Sequence, residues 1–128
     1  MRIHGQRWLF RIGNSVVKVD NAFSWTTWTQ ERLIVNDEVV RQTSGWMRVR
    51  QTFAEPWLTM VGEEDLRVKL VSRASAIACA ATLGEATLEP DERLSTSWNG
   101  GTLSWPAEQD WQPDSERSGG RSRFLRMG

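Results

Sequence analysis

The sequence predicts an all-β protein: an antiparallel β-sandwich, or a partly open barrel, of about seven to nine short strands with little helix. Three observations lead to this fold class. Apolar and polar residues alternate with a period of two over most of the chain. Dipeptides that favour tight turns separate the alternating runs. Only residues 74–83 are rich enough in alanine to suggest a helix, and they are short.

The first predicted hairpin lies near the N-terminus. Residues 7–12 alternate in polarity, which predicts a strand with Trp and Phe on its inward face. Gly13 and Asn14 then form a two-residue loop of the kind that closes tight hairpins, and residues 15–18 begin the return strand. If this strand continues, the same phase carries Trp25 inward.

The second hairpin has the clearest pattern in the chain. Two apolar runs, residues 31–35 and 38–43, flank Asn36 and Asp37, which both tolerate a positive φ. A further strand is expected over residues 46–53.

The remaining segments continue the all-β pattern. Short strands are expected at residues 57–61 and 66–70. Residues 74–83 fit a central strand covered on both faces better than a helix, because an alternating strand precedes them and a glycine follows. Residues 94–98 and 103–105 would form one more hairpin.

The candidate core residues share one phase of the alternation. They are Trp8, Phe10, Ile12, Val17, Val19, Leu33, Val35, Met47, Val49, Leu66, Val68, Leu70, Ile77, Cys79 and Leu83.

The 128 residues predict one β-sandwich domain over residues 1–111 and a basic, flexible tail over residues 112–128. Residues 106–111 fit a single helical turn that begins with proline. The tail has four arginines against two acids, a small excess that argues against nucleic-acid binding, as does the zero net charge of the whole chain.

The composition excludes several common kinds of functional site. A single Cys and a single His exclude a disulfide framework and a Cys/His metal cluster, so we expect no metal site and no cofactor. Cys79 is in phase with core residues, which predicts a buried, inert thiol. No catalytic residue stands out, and we expect a protein that is not an enzyme. The N-terminal segment is polar and no run approaches a membrane span, so we expect a cytoplasmic protein that does not enter membranes.

The candidate binding residues are aromatic and basic. Trp46, Arg48 and Arg50 share the outward phase of one predicted strand, where an indole between guanidinium groups would form a flat stacking surface. Alternatively, the arginines only shield the indole from water, or the C-terminal hairpin packs over that face. Trp28 is the second candidate, because its three-residue spacing from Trp25 sends the two indoles to opposite faces.

Two segments resemble the Fas apoptotic inhibitory molecule family. They are ERLIVNDEVVRQTSGWM at residues 31–47 and DLRVKLVSRASAIACAATLGEATLEP at residues 65–90. The resemblance covers residues 6–90 and implies an antiparallel β-sandwich without a catalytic site that serves as a protein-interaction scaffold. The chain departs from that family in its Asn36-Asp37 turn, where Asp-Gly is usual, and in alanines that replace aromatic residues of the late strand.

These observations support a non-catalytic protein-interaction module, which binds a protein partner or a second copy of itself. A carbohydrate-binding module that uses exposed Trp residues is the alternative, since eight Trp are many for a sandwich of this length. A small enzyme that depends on acidic residues ranks last.

Overall fold

A computed structural model of the chain describes residues 1–46, 56–72 and 77–114. These residues form two antiparallel sheets of six and four strands that do not close into a barrel, which confirms the predicted sandwich. The described part contains ten strands: β1 (Arg2–Ile12), β2 (Ser15–Phe23), β3 (Trp28–Val35), β4 (Glu38–Trp46), β5 (Trp57–Val61), β6 (Glu64–Ser72), β7 (Ile77–Leu83), β8 (Ala86–Leu88), β9 (Glu92–Asn99) and β10 (Gln112–Pro113).

Each sheet contains four strands that follow one another as an antiparallel meander, and the chain then returns to the larger sheet. Strands β1 to β4 follow one another in the larger sheet, and β5 to β8 do so in the smaller one. Strand β9 then pairs with β1, and β10 pairs with β9, which gives the order β10-β9-β1-β2-β3-β4. The pairing of β10 extends the sheet past the domain end expected at residue 111, and residues 115–128 lie outside the described part.

The turns follow from the residues that were expected to form them. Gly13 has a φ of 59°, and Asn36 and Asp37 have φ values of 50° and 68°. These positive values match the right-handed twist of the strands on either side, so two residues suffice to reverse the chain. The Asn36 side chain also accepts a hydrogen bond from the Val16 backbone N–H at 2.9 Å, which ties this turn to the neighbouring strand.

The core lies between the two sheets. Its buried members include eight of the predicted residues, and Ile12, Val35, Ile77, Cys79 and Leu83 pack against them. The predicted Met47 and Val49 lie outside the described residues. The core also contains Val61 and Ala81, which the alternation did not single out.

Three local predictions were wrong. The chain leaves β2 at Phe23, and Trp25 lies in the following turn with 79% of its surface exposed. Residues 103–105 form no strand, because the chain after β9 crosses the sheet instead of pairing with it. The alanine-rich segment is a strand from Ile77 to Leu83, but Ala80 on its outer face is exposed, so only one face is covered.

Trp46 does not begin a new strand. It ends β4, which continues through Ser44 and Gly45 without a break, and residues 47–55 lie outside the described part. Within the described ranges there is only a three-residue 3-10 turn, Glu108–Asp110, and no helix with the length and apolar character of a membrane span.

Candidate functional site

A segment of the chain covers the outer face of the six-stranded sheet, in addition to the two sheets of the sandwich. We call residues 100–111 the strap, because they cross this face after β9. Gln30 on β3 anchors one end: its Oε1 accepts the Leu103 backbone N–H at 2.9 Å and its Nε2 donates to the Ser104 carbonyl at 2.6 Å. At the other end, Trp111 is only 6% exposed.

Three charged residues lie beneath the strap, on adjacent strands. In the sheet register, Asp20 on β2 pairs with Arg7 on β1 on one side and with Arg32 on β3 on the other. The Asp20 carboxylate accepts hydrogen bonds from Arg7 Nε at 2.7 Å, from Arg7 Nη2 at 2.9 Å and from Arg32 Nε at 2.8 Å. Asp20 is fully buried and Arg7 is 3% exposed, so these contacts form away from bulk water.

Glu108 on the strap completes this ion cluster from above. Its carboxylate accepts hydrogen bonds from Arg7 Nη1 at 2.7 Å and from Lys18 Nζ at 3.0 Å, and lies 3.9 Å from Arg32 Nη2. Hydrogen bonding to Arg7 is the main reason why the pKa of Glu108 falls to about 2, with Lys18 adding to the effect. Burial opposes the charge of Arg7, but its bonds to Asp20 and Glu108 outweigh burial and raise the pKa of Arg7 above its usual range.

Two indoles of the strap stack on the guanidinium groups. Arg7 Cζ lies 4.4 Å from the centre of the Trp111 ring, and Arg32 Cζ lies 4.2 Å from that of Trp105. Cation–π contacts of this kind gain strength when water is excluded. The indole Nε1 atoms of Trp105 and Trp111 are buried and have no hydrogen-bond partner within the described residues.

Close packing of the indoles depends on Gly5. A Cβ at this position would lie 2.9 Å from Trp98 Cζ3 and 3.1 Å from Trp111 Cη2. The strap can therefore lie flat on β1 only where the strand lacks a side chain.

Two of the predicted binding residues, Trp28 and Trp46, occupy one corner of the same outer face. Trp46 pairs with Trp28 across β4 and β3, and their rings meet edge to face with centroids 5.0 Å apart. Trp46 is 42% exposed, whereas Trp28 is buried and its Nε1 donates to Gln30 Oε1 at 2.8 Å. Trp28 therefore supports Trp46 from below. Arg48 and Arg50 lie outside the described residues.

A second exposed indole lies at the opposite surface of the same end of the sheet. The ring of Trp25 meets Phe23 edge to face at 5.2 Å and His4 at 6.0 Å. His4 also shares a hydrogen bond with Ser97 Oγ at 2.9 Å. The one imidazole of the chain thus lies in an aromatic cluster with a hydroxyl neighbour.

The two fully buried carboxylates, Asp20 and Glu31, do not face each other. Asp20 points to the outer face beneath the strap. Glu31 pairs in register with Asn21 and accepts a hydrogen bond from Asn21 Nδ2 at 3.2 Å on the inner face. Because the sheet separates them, they cannot act together on one bond, as a pair of catalytic carboxylates must. Among the described residues, no three His, Cys, Asp or Glu side chains are grouped to hold a metal ion.

The ion cluster was not predicted from the sequence, where its three sheet residues fall on the outward phase of separate strands. One signal could have found it: Arg7, Asp20 and Arg32 alternate in charge on the outward phase of three successive strands, and register pairs them. The covering strap carries no comparable signal, since residues 100–107 have no period. No protein-family model, curated protein or solved structure matches this chain.

Proposed function

We propose that this protein is a non-catalytic β-sandwich module that binds protein, and that it self-associates through the corner defined by Trp46 and the edge of β4. The observation that carries the proposal is the exposed Trp46 ring, held against a buried Trp28. A large aromatic side chain that is already fixed in place loses little conformational entropy on binding, which is typical of residues that dominate interfaces.

The neighbouring surface supports this interpretation. In the described residues β4 pairs with β3 alone, so it forms the edge of the larger sheet in that part of the chain. Val39, on the same outer side of β4, is 46% exposed and adds apolar surface. An edge strand with apolar side chains is suited to pairing with a strand of another chain. The Fas apoptotic inhibitory molecule resemblance points in the same direction, and a cytoplasmic location remains part of the proposal.

The charged groups favour binding over catalysis. Both oxygens of Asp20 accept guanidinium N–H groups, and the side chain is fully buried, so solvent does not reach this carboxylate. Arg7 and Arg32 are engaged in the same contacts, and each stacks on an indole of the strap, while Glu108 accepts hydrogen bonds from Arg7 at the exposed side of the cluster. This arrangement is typical of a structural ion cluster.

The test is sedimentation velocity of the wild type, of Trp46→Ala and of Trp25→Ala over a wide range of concentrations. Trp25→Ala is the matched control, because it removes an equally large exposed indole from a different surface. We expect a wild-type dimer whose dissociation constant rises at least about tenfold in Trp46→Ala and changes little in Trp25→Ala. A wild type that stays monomeric at millimolar concentration would rule out self-association.

Trp25 favours one alternative, a carbohydrate-binding module. An indole that is 79% exposed and braced by Phe23 can stack on the apolar face of a sugar ring. Titration with oligosaccharides would then shift the indole fluorescence of the wild type but not that of Trp25→Ala. An unchanged wild-type spectrum with all glycans would exclude this alternative.

A further inference from the structure

Three cations converge on the carboxylate of Glu108. Arg7 donates from Nη1 at 2.7 Å and from Nη2 at 3.1 Å, Lys18 donates at 3.0 Å, and Arg32 Nη2 lies 3.9 Å away. Such a set, with one planar bidentate donor and an ammonium beside it, is the kind that binds phosphate and carboxylate ligands. Here a side chain of the same protein occupies the position.

The charges of the cluster leave this position strongly positive. Arg7, Lys18 and Arg32 contribute three positive charges, and the buried Asp20 removes one of them. Without Glu108 a net charge of +2 would face the carboxylate position. Asp37 lies 3.9 Å from Lys18 Nζ but is 93% exposed, so solvent screens most of its effect.

The Glu108 side chain lies at the mouth of the cluster. It is 57% exposed, although Arg7 beneath it is 3% exposed. A dissolved anion can therefore approach the same position from solvent without opening the sheet.

Within the described residues, the Glu108 turn is held by these ion pairs and by two backbone hydrogen bonds: Asp110 N–H donates to the Ala107 carbonyl at 3.0 Å, and Trp111 N–H donates to the Glu108 carbonyl at 3.4 Å. Glu108–Asp110 is a three-residue 3-10 turn with no side-chain capping hydrogen bond and no buried residue. Trp105 and Trp111 anchor the strap on either side, where each stacks on an arginine.

The two indoles supply a second, independent observation. Trp111 is 94% buried, since its relative exposure is 6%, and its Nε1 has no hydrogen-bond partner within the described residues. The same holds for Trp105 Nε1, which is also buried. A buried N–H donor without an acceptor is costly, so the polar groups at the two indoles are not all satisfied within the described residues.

We propose that Arg7, Lys18 and Arg32, walled by Trp105 and Trp111, form a binding site for an oxyanion, which Glu108 occupies when no ligand is bound. The ligand is a phosphate or carboxylate group that displaces Glu108, and the net charge favours a dianion such as phosphate. The site is separate from the Trp46 corner, so it stands or falls independently of the proposed self-association.

The test is titration with inorganic phosphate, and separately with acetate, at constant ionic strength. Binding is followed by NMR of the Arg Nε–H and Trp indole N–H groups. Four proteins are compared: the wild type, Glu108→Ala, the control Asp110→Ala, which removes an equal charge from the same turn, and Glu108→Ala with Lys18→Met. Glu108→Gln replaces Glu108→Ala if that variant does not fold.

We expect Glu108→Ala to bind phosphate at least about tenfold more tightly than the wild type and Asp110→Ala do, with shifts in the Arg7 and Trp111 signals. Adding Lys18→Met should reverse most of the gain. Tighter binding of phosphate than of acetate identifies a phosphate site, and the opposite order identifies a carboxylate site. If Glu108→Ala and Asp110→Ala bind both anions equally, or if the Arg7 and Trp111 signals do not move, the proposal is overturned.

Discussion

Asp20→Asn tests whether the ion cluster stabilises the fold. The carboxylate accepts three hydrogen bonds, at 2.7 and 2.9 Å from Arg7 and at 2.8 Å from Arg32, and it is fully buried. Asparagine keeps the shape of the side chain but removes its charge, and it turns one acceptor oxygen into an N–H₂ donor that faces other donors. The replacement leaves Arg7 buried with only Glu108 as an anionic partner.

The expected loss follows from these contacts. Each hydrogen bond to a charged group contributes about 1.5–3 kcal/mol, but bonds that share one carboxylate do not add. Removing one partner of a buried ion pair typically costs about 3–5 kcal/mol. Because Glu108 still neutralises part of the Arg7 charge, we expect about 3 kcal/mol, against a total of about 5–15 kcal/mol for a domain. The variant should fold and melt about 10 °C lower.

Urea denaturation followed by tryptophan fluorescence measures this loss, with the slope of the transition as a check that unfolding exposes the same surface. Asp37→Asn is the matched control, because Asp37 is an exposed acid 3.9 Å from Lys18 and should cost less than about 0.5 kcal/mol. An Asp20→Asn variant within about 1 kcal/mol of the wild type would refute the reasoning and show that the cluster is an incidental contact.

Three further outcomes follow from the structure. Gly5→Ala should lower the free energy of unfolding by about 1–3 kcal/mol, since the new Cβ would lie 2.9 Å from the Trp98 ring and 3.1 Å from the Trp111 ring. The indole signals of both residues should shift in NMR spectra, and unchanged spectra would contradict the packing. Burial raises the pKa of the Cys79 thiol to about 12, so stability should fall as the pH rises from about 9 towards 12, and the native thiol should react slowly with disulfide reagents at pH 8. Hydrogen bonding lowers the pKa of Glu108, so its ionised carboxylate should stabilise the fold above about pH 4.5, and this stabilisation should be lost as the pH falls towards 2. The loss should be small because the group is half-exposed. Denaturation curves of Glu108→Gln should lack this loss at acid pH.

The alternation of residues on β1, β2 and β3 was sufficient to predict the sandwich and most of its core. It worked because a strand with one buried face leaves a period of two in the sequence, and a two-residue turn then fixes the register. The predicted turn at Asn36 and Asp37 is correct for this reason. The alanine-rich strand was also assigned correctly, since neighbouring strands outweigh the helix propensity of alanine.

The strap could not be predicted in the same way. Its position depends on particular contacts, such as Gln30 with the backbone of Leu103 and Ser104, and these leave no periodic signal. The sequence predicted a hairpin strand at residues 103–105 and a helical turn at residues 106–111, and neither prediction indicates which contacts hold this segment against the sheet. The ion cluster that it covers on the outer face of the larger sheet was therefore not predicted.

The distribution of the eight Trp residues links the strap to the proposed binding surface. Trp8 and Trp57 belong to the core or pack against it, and Trp28 and Trp111 are buried on the outer face. Trp98 on β9 and Trp105 on the strap are partly covered, and their rings lie tilted against each other with centroids 6.1 Å apart. If the strap did not cover the outer face of the larger sheet, the indoles on that face would be exposed, and each would be a candidate for binding. Because the strap uses four of them for packing, Trp25 and Trp46 are the indoles that remain exposed within the described residues, and for this reason the two proposed binding surfaces are built on them.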